Sequence, residues 1–592
     1  MRDLARLDLA AGLRALWRRL AGDRLALVFV LVLAAVEAVL AAVSIAALIP
    51  VGGAVMPGGS AASAPWPMDG LVELVGDDPS ALLATLAALL LAKVAVALGR
   101  IALTAHVRRR VWRRWARLLV EGFLRMPYAR WVGQDSGELI NLVGNELNRG
   151  TSLITTAIGA TTHLLSLLSL LVALLLVDWR VVAGAAVVGV VVYVVGMRKV
   201  NEAARGYGTR AVTLARAAAG LLAETMQGVR DIRLLRAEEK RLADVDEVVG
   251  RSTDNDFKLT ILQAVPANAV ELALAGVLLA AGIALGSVGE SANGSAILPV
   301  LLFFVVALFR LSTYAAALSA LQVKLVGRWP SLVSVLAAME STAGVVASEP
   351  RHGRPTPEAI ASYRPAHGFF VRDLSFRHGD APVLDRVALD LPLGSVTYLF
   401  GPSGSGKSTL ADLLARLHEP SAGSLLVDGR DAGETPIAVW RSLVGYVSQE
   451  PVLFAGTLAD NVAIGRPEAS RAEIEAALAA AGALEIVEGL PQGLATRLAE
   501  RGRNFSGGQR CRIAIARALI RDPALVILDE STGGLEGALE ADIVARLRAR
   551  PGLAVLVISH RRENAAGADQ VVALEGGRLR VERPLRIAEA AS

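Results

Sequence analysis

Six apolar runs of membrane-spanning length occupy the first half of this 592-residue chain. A span requires about 20 apolar residues, and lipid admits only helices or closed barrels, so each run predicts a helix. Apolar residues make up 53% of the chain and charged residues only 20%, a balance typical of membrane proteins. The runs lie at Leu25–Ile49, Ala81–Ala105, Leu153–Val177, Val181–Met197, Ala267–Gly286 and Ala296–Tyr314.

Arginines are concentrated beside these runs. Six of them precede the first run, the segment His106–Arg117 follows the second, and Arg198 and Lys199 follow the fourth. The segment between the first two runs has neither Lys nor Arg, so the positive-inside rule places both termini in the cytoplasm. Because each basic cluster adjoins a span on that side, we expect contact with the lipid bilayer and not with nucleic acid.

Ionisable residues inside the runs are candidates for function. Glu37 and Lys93 each lie about 12 residues from an end of their run, at similar depth on consecutive helices. Charges within a membrane usually face a partner or a cavity. The alternatives are an ion pair, which we favour, and contact with a transported substrate. Arg310 lies nearer the cytoplasmic side, where it either snorkels or faces a central cavity.

A glycine-rich loop marks the second half of the chain. It fits the phosphate-binding pattern G-x-x-x-x-G-K-[ST], between an apolar strand, Val396–Phe400, and a helix, Ser408–Leu417. Backbone N–H groups and the helix N-terminus can surround phosphate oxygens, while Lys407 reaches the β- and γ-phosphates and Ser408 ligates Mg²⁺. We expect a nucleoside triphosphate to bind Gly401, Pro402, Ser403, Gly404, Ser405, Gly406, Lys407, Ser408 and Thr409.

Two acids end a second apolar strand, Ala524–Leu528. Successive residues at a strand end point to opposite sides. Asp529 can therefore serve Mg²⁺ while Glu530 faces the attacking water as a general base. Downstream of a phosphate loop, this pattern predicts triphosphate hydrolysis.

Three further segments adjoin predicted strands or helices. Gln449 follows the strand Val444–Ser448 and can bond water or metal near the γ-phosphate. His560 follows the strand Val555–Ser559 and can contact the γ-phosphate itself. The sequence Ser506, Gly507, Gly508 and Gln509 opens a helix, either as a second anion site or as a simple cap.

Together these residues resemble the ABC transporter family over essentially the whole chain. The phosphate loop, Gln449, Ser506–Gln509, Asp529–Glu530 and His560 occur in the family's order, after six spans of exporter type. The resemblance implies an α-helical membrane domain followed by an α/β P-loop ATPase domain, with ATP and Mg²⁺ as cofactors. It also implies that two ATP molecules are held between two ATPase domains, each phosphate loop facing the partner's Ser506–Gln509. The chain thus resembles a half-transporter that dimerises, and we favour an identical partner.

The domain limits follow from composition. We expect a membrane domain at 1–340 with six spans and long cytoplasmic extensions, a linker at 341–368, and an ATPase domain at 369–592. The linker contains the polar, proline-rich segment Glu349–Pro357.

The sequence departs from the family pattern at three points. Phe505 stands where Leu is usual, and His378 replaces the aromatic residue that stacks on adenine, so we expect weaker contact with the base. Residues 533–536 read Gly-Gly-Leu-Glu where the family has Ser-Ala-Leu-Asp, which puts the coupling between the two ATP sites in question.

The cargo is less constrained. Leu48–Pro50 and Ala307–Leu311 resemble lipid-linked oligosaccharide flippases, whereas Arg503–Gln509 and Ile558–Arg561 resemble exporters of small antibacterial peptides. The preferred hypothesis is ATP-driven export or flipping of a lipid-linked, glycan or peptide substrate across the cytoplasmic membrane, by a dimer alternating between inward- and outward-open states. The alternatives are an ATP-gated regulator or channel on the same scaffold, and import on an exporter-like scaffold.

Overall fold

Two compact units make up the chain, one of residues 1–126 and 130–348 and the other of 127–129 and 349–592. The structure is a computed structural model. It describes residues 16–55, 72–73, 75–76, 78–132, 136–177, 179–288, 294–348, 355–499, 502–531 and 537–585.

The first unit is built from long helices, and each predicted apolar run lies in helical structure. The first run is interrupted at Ala47. A π-helical turn at Leu142–Glu146 precedes the third run. The helices are Arg24–Ala46, Leu48–Val55, Pro79–Leu124, Ser136–Asn141, Leu147–Val177, Trp179–Gln227, Val229–Leu234, Glu238–Val288 and Gly294–Ser348, and a short helix spans Tyr128–Val132.

Four of these helices are much longer than a membrane is thick. Pro79–Leu124 has 46 residues, or roughly 69 Å at 1.5 Å per residue, against about 30 Å of hydrocarbon. By length and composition, three described stretches can cross a membrane: Ala21–Gly52, Pro79–Leu124 and Leu139–Leu176. The last three predicted runs lie in Trp179–Gln227, Glu238–Val288 and Gly294–Ser348, so the count of six spans stays a prediction.

One face of the helix Pro79–Leu124 builds the core of this unit. Val107, Val111 and Trp115 recur every four residues and are buried against residues of Gly294–Ser348 such as Leu332. Other faces expose large apolar side chains, as expected where a helix meets lipid.

The second unit contains two main sheets and a small pair of strands. The strands are β1 Gly368–His378, β2 Ala381–Pro392, β3 Val396–Phe400, β4 Ala422–Val427, β5 Arg430–Asp431, β6 Val444–Val447, β7 Gly456–Thr457, β8 Arg497–Leu498, β9 Leu525–Asp529, β10 Ala554–Ile558, β11 Gln570–Glu575 and β12 Arg578–Arg583. A six-stranded sheet has the order β12-β11-β3-β10-β9-β6, and a four-stranded antiparallel sheet has the order β2-β1-β4-β5.

Helices cover both faces of the larger sheet. Tyr398 and Leu528 pack on one face, whereas Leu399 and Ile527 pack on the other, as the two-residue period of a strand requires. The helices of this unit are Pro357–Ser362, Lys407–Leu414, Ile437–Leu443, Leu458–Val462, Arg471–Ala480, Leu484–Glu488, Gly507–Leu519 and Gly537–Arg548.

The parallel strands position the candidate site. Strands β6, β9, β10 and β3 run parallel, so their carboxyl ends lie along one edge of the sheet. The phosphate loop, Gln449, Glu530 and His560 all follow these ends, and Asp529 is the last residue of β9. Such an edge is where open α/β sheets bind ligands.

The limits of the predicted linker are not tested by the fold. The helix Gly294–Ser348 continues eight residues beyond 340, and β1 begins at Gly368. A short helix, Pro357–Ser362, lies within the predicted linker.

Candidate nucleotide site

The phosphate loop curls around the ammonium group of Lys407. This side chain is only 5% exposed, and its Nζ donates hydrogen bonds of 3.0 Å to the carbonyls of Gly401 and Pro402. Gly404 and Gly406 have φ of 78° and 102°, in the left-handed region that favours glycine. A Cβ at Gly406 would also approach the side chain of Leu384 to 2.9 Å, so both conformation and space require glycine there.

Glu530 collects three of the predicted side chains around its carboxylate. Its Oε1 lies 2.6 Å from His560 Nε2 and 3.5 Å from Lys407 Nζ, and its Oε2 accepts a hydrogen bond of 3.0 Å from Gln449 Nε2. Its φ of 48° is strained for a residue with a Cβ. The Glu530 N–H still donates to the carbonyl of Ile558 at 3.0 Å, which holds the strained residue against β10.

Asp529 is 5% exposed and has a separate set of partners. Ser408 Oγ donates to its Oδ1 at 3.3 Å, and the Tyr446 hydroxyl donates to its Oδ2 at 2.9 Å. Burial raises the pKa of Asp529, and the charge of Glu530 adds to the rise, although the hydrogen bonds from Tyr446 and Ser408 oppose it. A divalent cation beside this carboxylate would stabilise its charged form.

The residues present fit both ATP and Mg²⁺. Ser408 and Asp529 supply the oxygen donors that Mg²⁺ prefers. In the described part of the chain, the buried Ser405 Oγ inside the phosphate loop has no hydrogen-bond partner. A phosphate oxygen bound at this loop would provide an acceptor for it.

Ser506–Gln509 begins the helix Gly507–Leu519 as a capping box. Ser506 Oγ accepts from the Gln509 N–H at 3.2 Å, and Gln509 Oε1 accepts from the Ser506 N–H at 2.9 Å. Among the described residues, no hydrogen bond joins this segment to the phosphate loop of the same chain. Its expected role toward a second chain stays a prediction.

The family departures have different outcomes. Phe505 is buried in the core, so the larger apolar side chain is accommodated. His378 is exposed at the end of β1, with its ring edge-on to Phe376 at 4.9 Å and to His418 at 5.5 Å. Its expected stacking on adenine stays a prediction. Residues 533–536 lie outside the described residues.

Sequence motifs missed two residues beside Asp529. Tyr446 pairs in register with Ile527, two residues before Asp529, and this pairing of β6 with β9 has no signal in the sequence. Asp412 follows Ser408 by one turn of the helix Lys407–Leu414. Burial, and secondarily the charge of Asp529, raise the pKa of Asp412 to about 6.

Comparison with known proteins decides the family. A family model described as the ABC transporter transmembrane region matches residues 27–312, and one described as ABC transporter matches residues 384–533. An ATP-dependent lipid A-core flippase of Chromobacterium violaceum is 32% identical over 466 residues, covering 77% of this chain and 76% of the relative. The chain belongs to the ABC transporter family.

Other relatives of this ABC transporter differ in their named function. A mitochondrial potassium channel ATP-binding subunit of Xenopus tropicalis is 30% identical over 502 residues, covering 81% of this chain and 69% of the relative. A bacterial Atm1-family ABC exporter solved with ATP bound has the same fold, with a TM-score of 0.69 over 95% of both chains at 23% identity.

The family assignment establishes the general activity. The chain binds ATP and couples ATP hydrolysis to transport, as the fused ABC transporter domains indicate. It is a multi-pass membrane protein, with the helical membrane domain before the α/β ATPase domain and the ATPase domain on the cytoplasmic side.

The structure places the membrane charges of the transporter differently from the ion pair that sequence favoured. Glu37 pairs with Arg100, whose Nε lies 2.7 Å from Glu37 Oε2, and not directly with Lys93. The sequence placed Glu37 and Lys93 at similar depth by counting residues from the ends of their runs. Arg100 lies two helical turns after Lys93, and its long side chain still reaches Glu37. Lys93 lies near enough to both Arg310 and Glu37 for their charges to interact with its own.

Proposed function

We propose that this ABC transporter acts as a dimer of identical chains that hydrolyses ATP with Mg²⁺ and flips a lipid with an anionic headgroup. The observation that carries the hydrolytic part is the arrangement around Glu530, where Lys407, Gln449 and His560 meet one carboxylate. The membrane charges and the named relatives support the choice of cargo.

The side chains of the ATPase domain have distinct roles in this proposal. Glu530 Oε1 or Oε2 takes the proton of the attacking water, with Gln449 and His560 orienting the carboxylate and the water. Lys407 donates to the β- and γ-phosphates in place of its carbonyl partners. Mg²⁺ held by Ser408 and Asp529 would neutralise charge on the phosphates.

The membrane charges favour an anionic cargo. Glu37 pairs with Arg100, and its charge also interacts with that of Lys93, but Arg310 brings a further positive charge near Lys93, so these four residues carry more positive than negative charge. An excess of positive charge within a membrane favours an anionic partner such as a phosphate group. A cavity of 510 Å³ nearer the cytoplasmic side is lined by Arg100, Arg108, Arg109 and Trp112 among others, and extends this basic character.

The names of several relatives agree with a lipid cargo. Lipid A-core flippases of Chromobacterium violaceum and Cupriavidus metallidurans are each 32% identical to this chain over three quarters of its length or more. The likeness to lipid-linked oligosaccharide flippases at Leu48–Pro50 lies in the membrane domain and points the same way, whereas the likeness to peptide exporters lies in the ATPase domain.

A second candidate function is an ATP-gated channel or regulator. The specific observation in its favour is the potassium channel ATP-binding subunit among the relatives. A gate needs ATP binding but no repeated turnover. The complete set of side chains around Glu530 therefore favours the transporter.

The substrate proposal is tested by lipid-stimulated ATPase activity. Purified protein in nanodiscs is titrated with a phosphate-bearing glycolipid, a neutral glycolipid or a peptide. We expect the anionic lipid to stimulate hydrolysis most, and Lys93→Ala to raise its half-stimulating concentration about 10-fold through loss of one charged contact.

Lys93→Arg is the matched control, because it retains the positive charge at the same position. Its half-stimulating concentration of the anionic lipid should stay close to that of the wild type. Two results would contradict recognition of an anionic headgroup. One is equal stimulation of ATP hydrolysis by neutral and anionic lipids, and the other is an equal rise of the half-stimulating concentration in Lys93→Ala and Lys93→Arg.

A further inference from the structure

Tyr446 is a half-buried tyrosine on β6 that belongs to none of the motifs in the sequence. Strands β6 and β9 run parallel, and their register pairs Tyr446 with Ile527, two residues before Asp529. The phenol donates a hydrogen bond of 2.9 Å to Asp529 Oδ2. The strand register thus places a hydroxyl beside the carboxylate that the site offers to a metal.

The two oxygens of Asp529 have different partners. Oδ1 accepts from Ser408 Oγ at 3.3 Å, and Oδ2 accepts from Tyr446. Rotation of an aspartate carboxylate about χ2 is broad, so a single weak bond would not fix its plane. A hydrogen bond to a charged acceptor is about twice as strong as a neutral one. The bond from Tyr446 therefore keeps Oδ1 turned toward Ser408.

A second carboxylate, that of Asp412, also lies near the phenol of Tyr446. Asp412 is within hydrogen-bonding reach of Tyr446, and its charge also interacts with that of Asp529. The helix Lys407–Leu414 carries Asp412 one turn after Ser408. Tyr446 thus lies near two acids, and its one proton is directed to Asp529.

We propose that Tyr446 is a positioning residue for the metal–nucleotide complex, which holds Asp529 so that the oxygen beside Ser408 faces Mg²⁺. The inference rests on the proposed Mg²⁺-dependent hydrolysis of ATP. Tyr446 itself touches neither phosphate nor metal, and acts through Asp529. Loss of such outer-shell partners typically weakens metal binding 10–100-fold.

Equilibrium binding of a non-hydrolysable ATP analogue to the full-length protein in nanodiscs tests the proposal. Binding is measured in EDTA and over a range of free Mg²⁺ concentrations, for the wild type and Tyr446→Phe. We expect the variant to need about 10-fold more free Mg²⁺ for half-maximal enhancement of binding. Its affinity in EDTA should match the wild type, which also shows that the ATPase domain is folded.

Tyr398→Phe is the matched control. It removes the same atom from a tyrosine of the same sheet, whose hydroxyl has no hydrogen-bond partner among the described residues. Its Mg²⁺ dependence should be that of the wild type.

The possible failures are distinguishable. A wild-type Mg²⁺ dependence of binding in Tyr446→Phe would overturn the positioning role alone. An equal loss of nucleotide affinity with Mg²⁺ and in EDTA would overturn it too, because it would show that the substitution disturbs the nucleotide site as a whole. Absence of any Mg²⁺ effect in the wild type would instead contradict the proposed function itself.

Discussion

The carboxylate of Glu530 is the point at which the side chains of the nucleotide site meet. This carboxylate meets His560 at 2.6 Å and Gln449 at 3.0 Å, although the three residues are far apart in sequence. The contacts depend on a backbone φ of 48°, which β10 holds through the Ile558 carbonyl. The backbone strain thus lies at the residue whose side chain makes these contacts, as is common at functional sites.

Asp412 gives a prediction for the pH dependence of stability. Its pKa in the fold is about 6, above the ordinary 3.8, so folding favours its protonated form. The ionised group therefore destabilises the protein fully above pH 6, and this cost disappears as the pH falls toward 3.8. We expect Asp412→Asn to raise the thermal unfolding temperature by roughly 2 °C or more at pH 7.5, with about half that gain at pH 5.

Differential scanning fluorimetry of the nucleotide-free, full-length protein would measure both values. Asp385→Asn is the control, because Arg578 lowers the pKa of that exposed carboxylate and its removal should give no gain. A gain for Asp412→Asn that is equal at the two pH values would rule out the titration of Asp412 as its cause.

At the scale of elements, polar contacts join helices of the membrane unit outside the apolar runs. Glu146 is 2% exposed in the π-helical turn, and it accepts hydrogen bonds from Arg216 Nε at 2.9 Å and from Asn141 at 3.1 Å. Arg216 belongs to the helix Trp179–Gln227 and also donates to Ser334. This arginine thus ties three helical segments together.

Arg216→Met should destabilise the membrane unit strongly, because it leaves the Glu146 carboxylate buried beside fewer donors. Because Arg216 is 30% exposed and Asn141 still donates to Glu146, we expect a loss of about 2–3 kcal/mol, the cost of removing a hydrogen bond to a buried charge. The exposed pair of Arg251 and Glu247 offers the control, since Arg251→Met should cost less than about 1 kcal/mol. Denaturant unfolding of the detergent-solubilised protein would compare the two, and similar losses in both variants would refute the special role of Glu146.

Sequence predicted elements and motifs better than it predicted pairings. Apolar length and two-residue alternation are local properties, so the helices, the strands and the residues at the strand ends could all be predicted. Contacts between distant elements could not be derived in this way. Glu37 bonds Arg100 and not Lys93, and Tyr446 bonds Asp529. Each of these two contacts is set by how one helix or strand is aligned with its neighbour, which no local pattern in the sequence records.

At the scale of the whole molecule, the chain carries one phosphate loop and one Ser506–Gln509 segment. Within the described residues the two share no hydrogen bond, and each is stabilised by its own local contacts. The family resemblance implies that a second chain brings them together around ATP. The proposed cycle therefore depends on a dimer, with hydrolysis at Glu530 resetting it after each lipid is flipped.

Lipid flipping in reconstituted liposomes by the wild type and Glu530→Gln tests this account most directly. We expect the variant to retain bound ATP, to hydrolyse it at least about 100-fold more slowly because the general base is lost, and to flip no lipid. Glu488→Gln makes the same chemical change at an exposed position and should behave as the wild type. Flipping at the wild-type rate by Glu530→Gln would contradict coupling of transport to ATP hydrolysis.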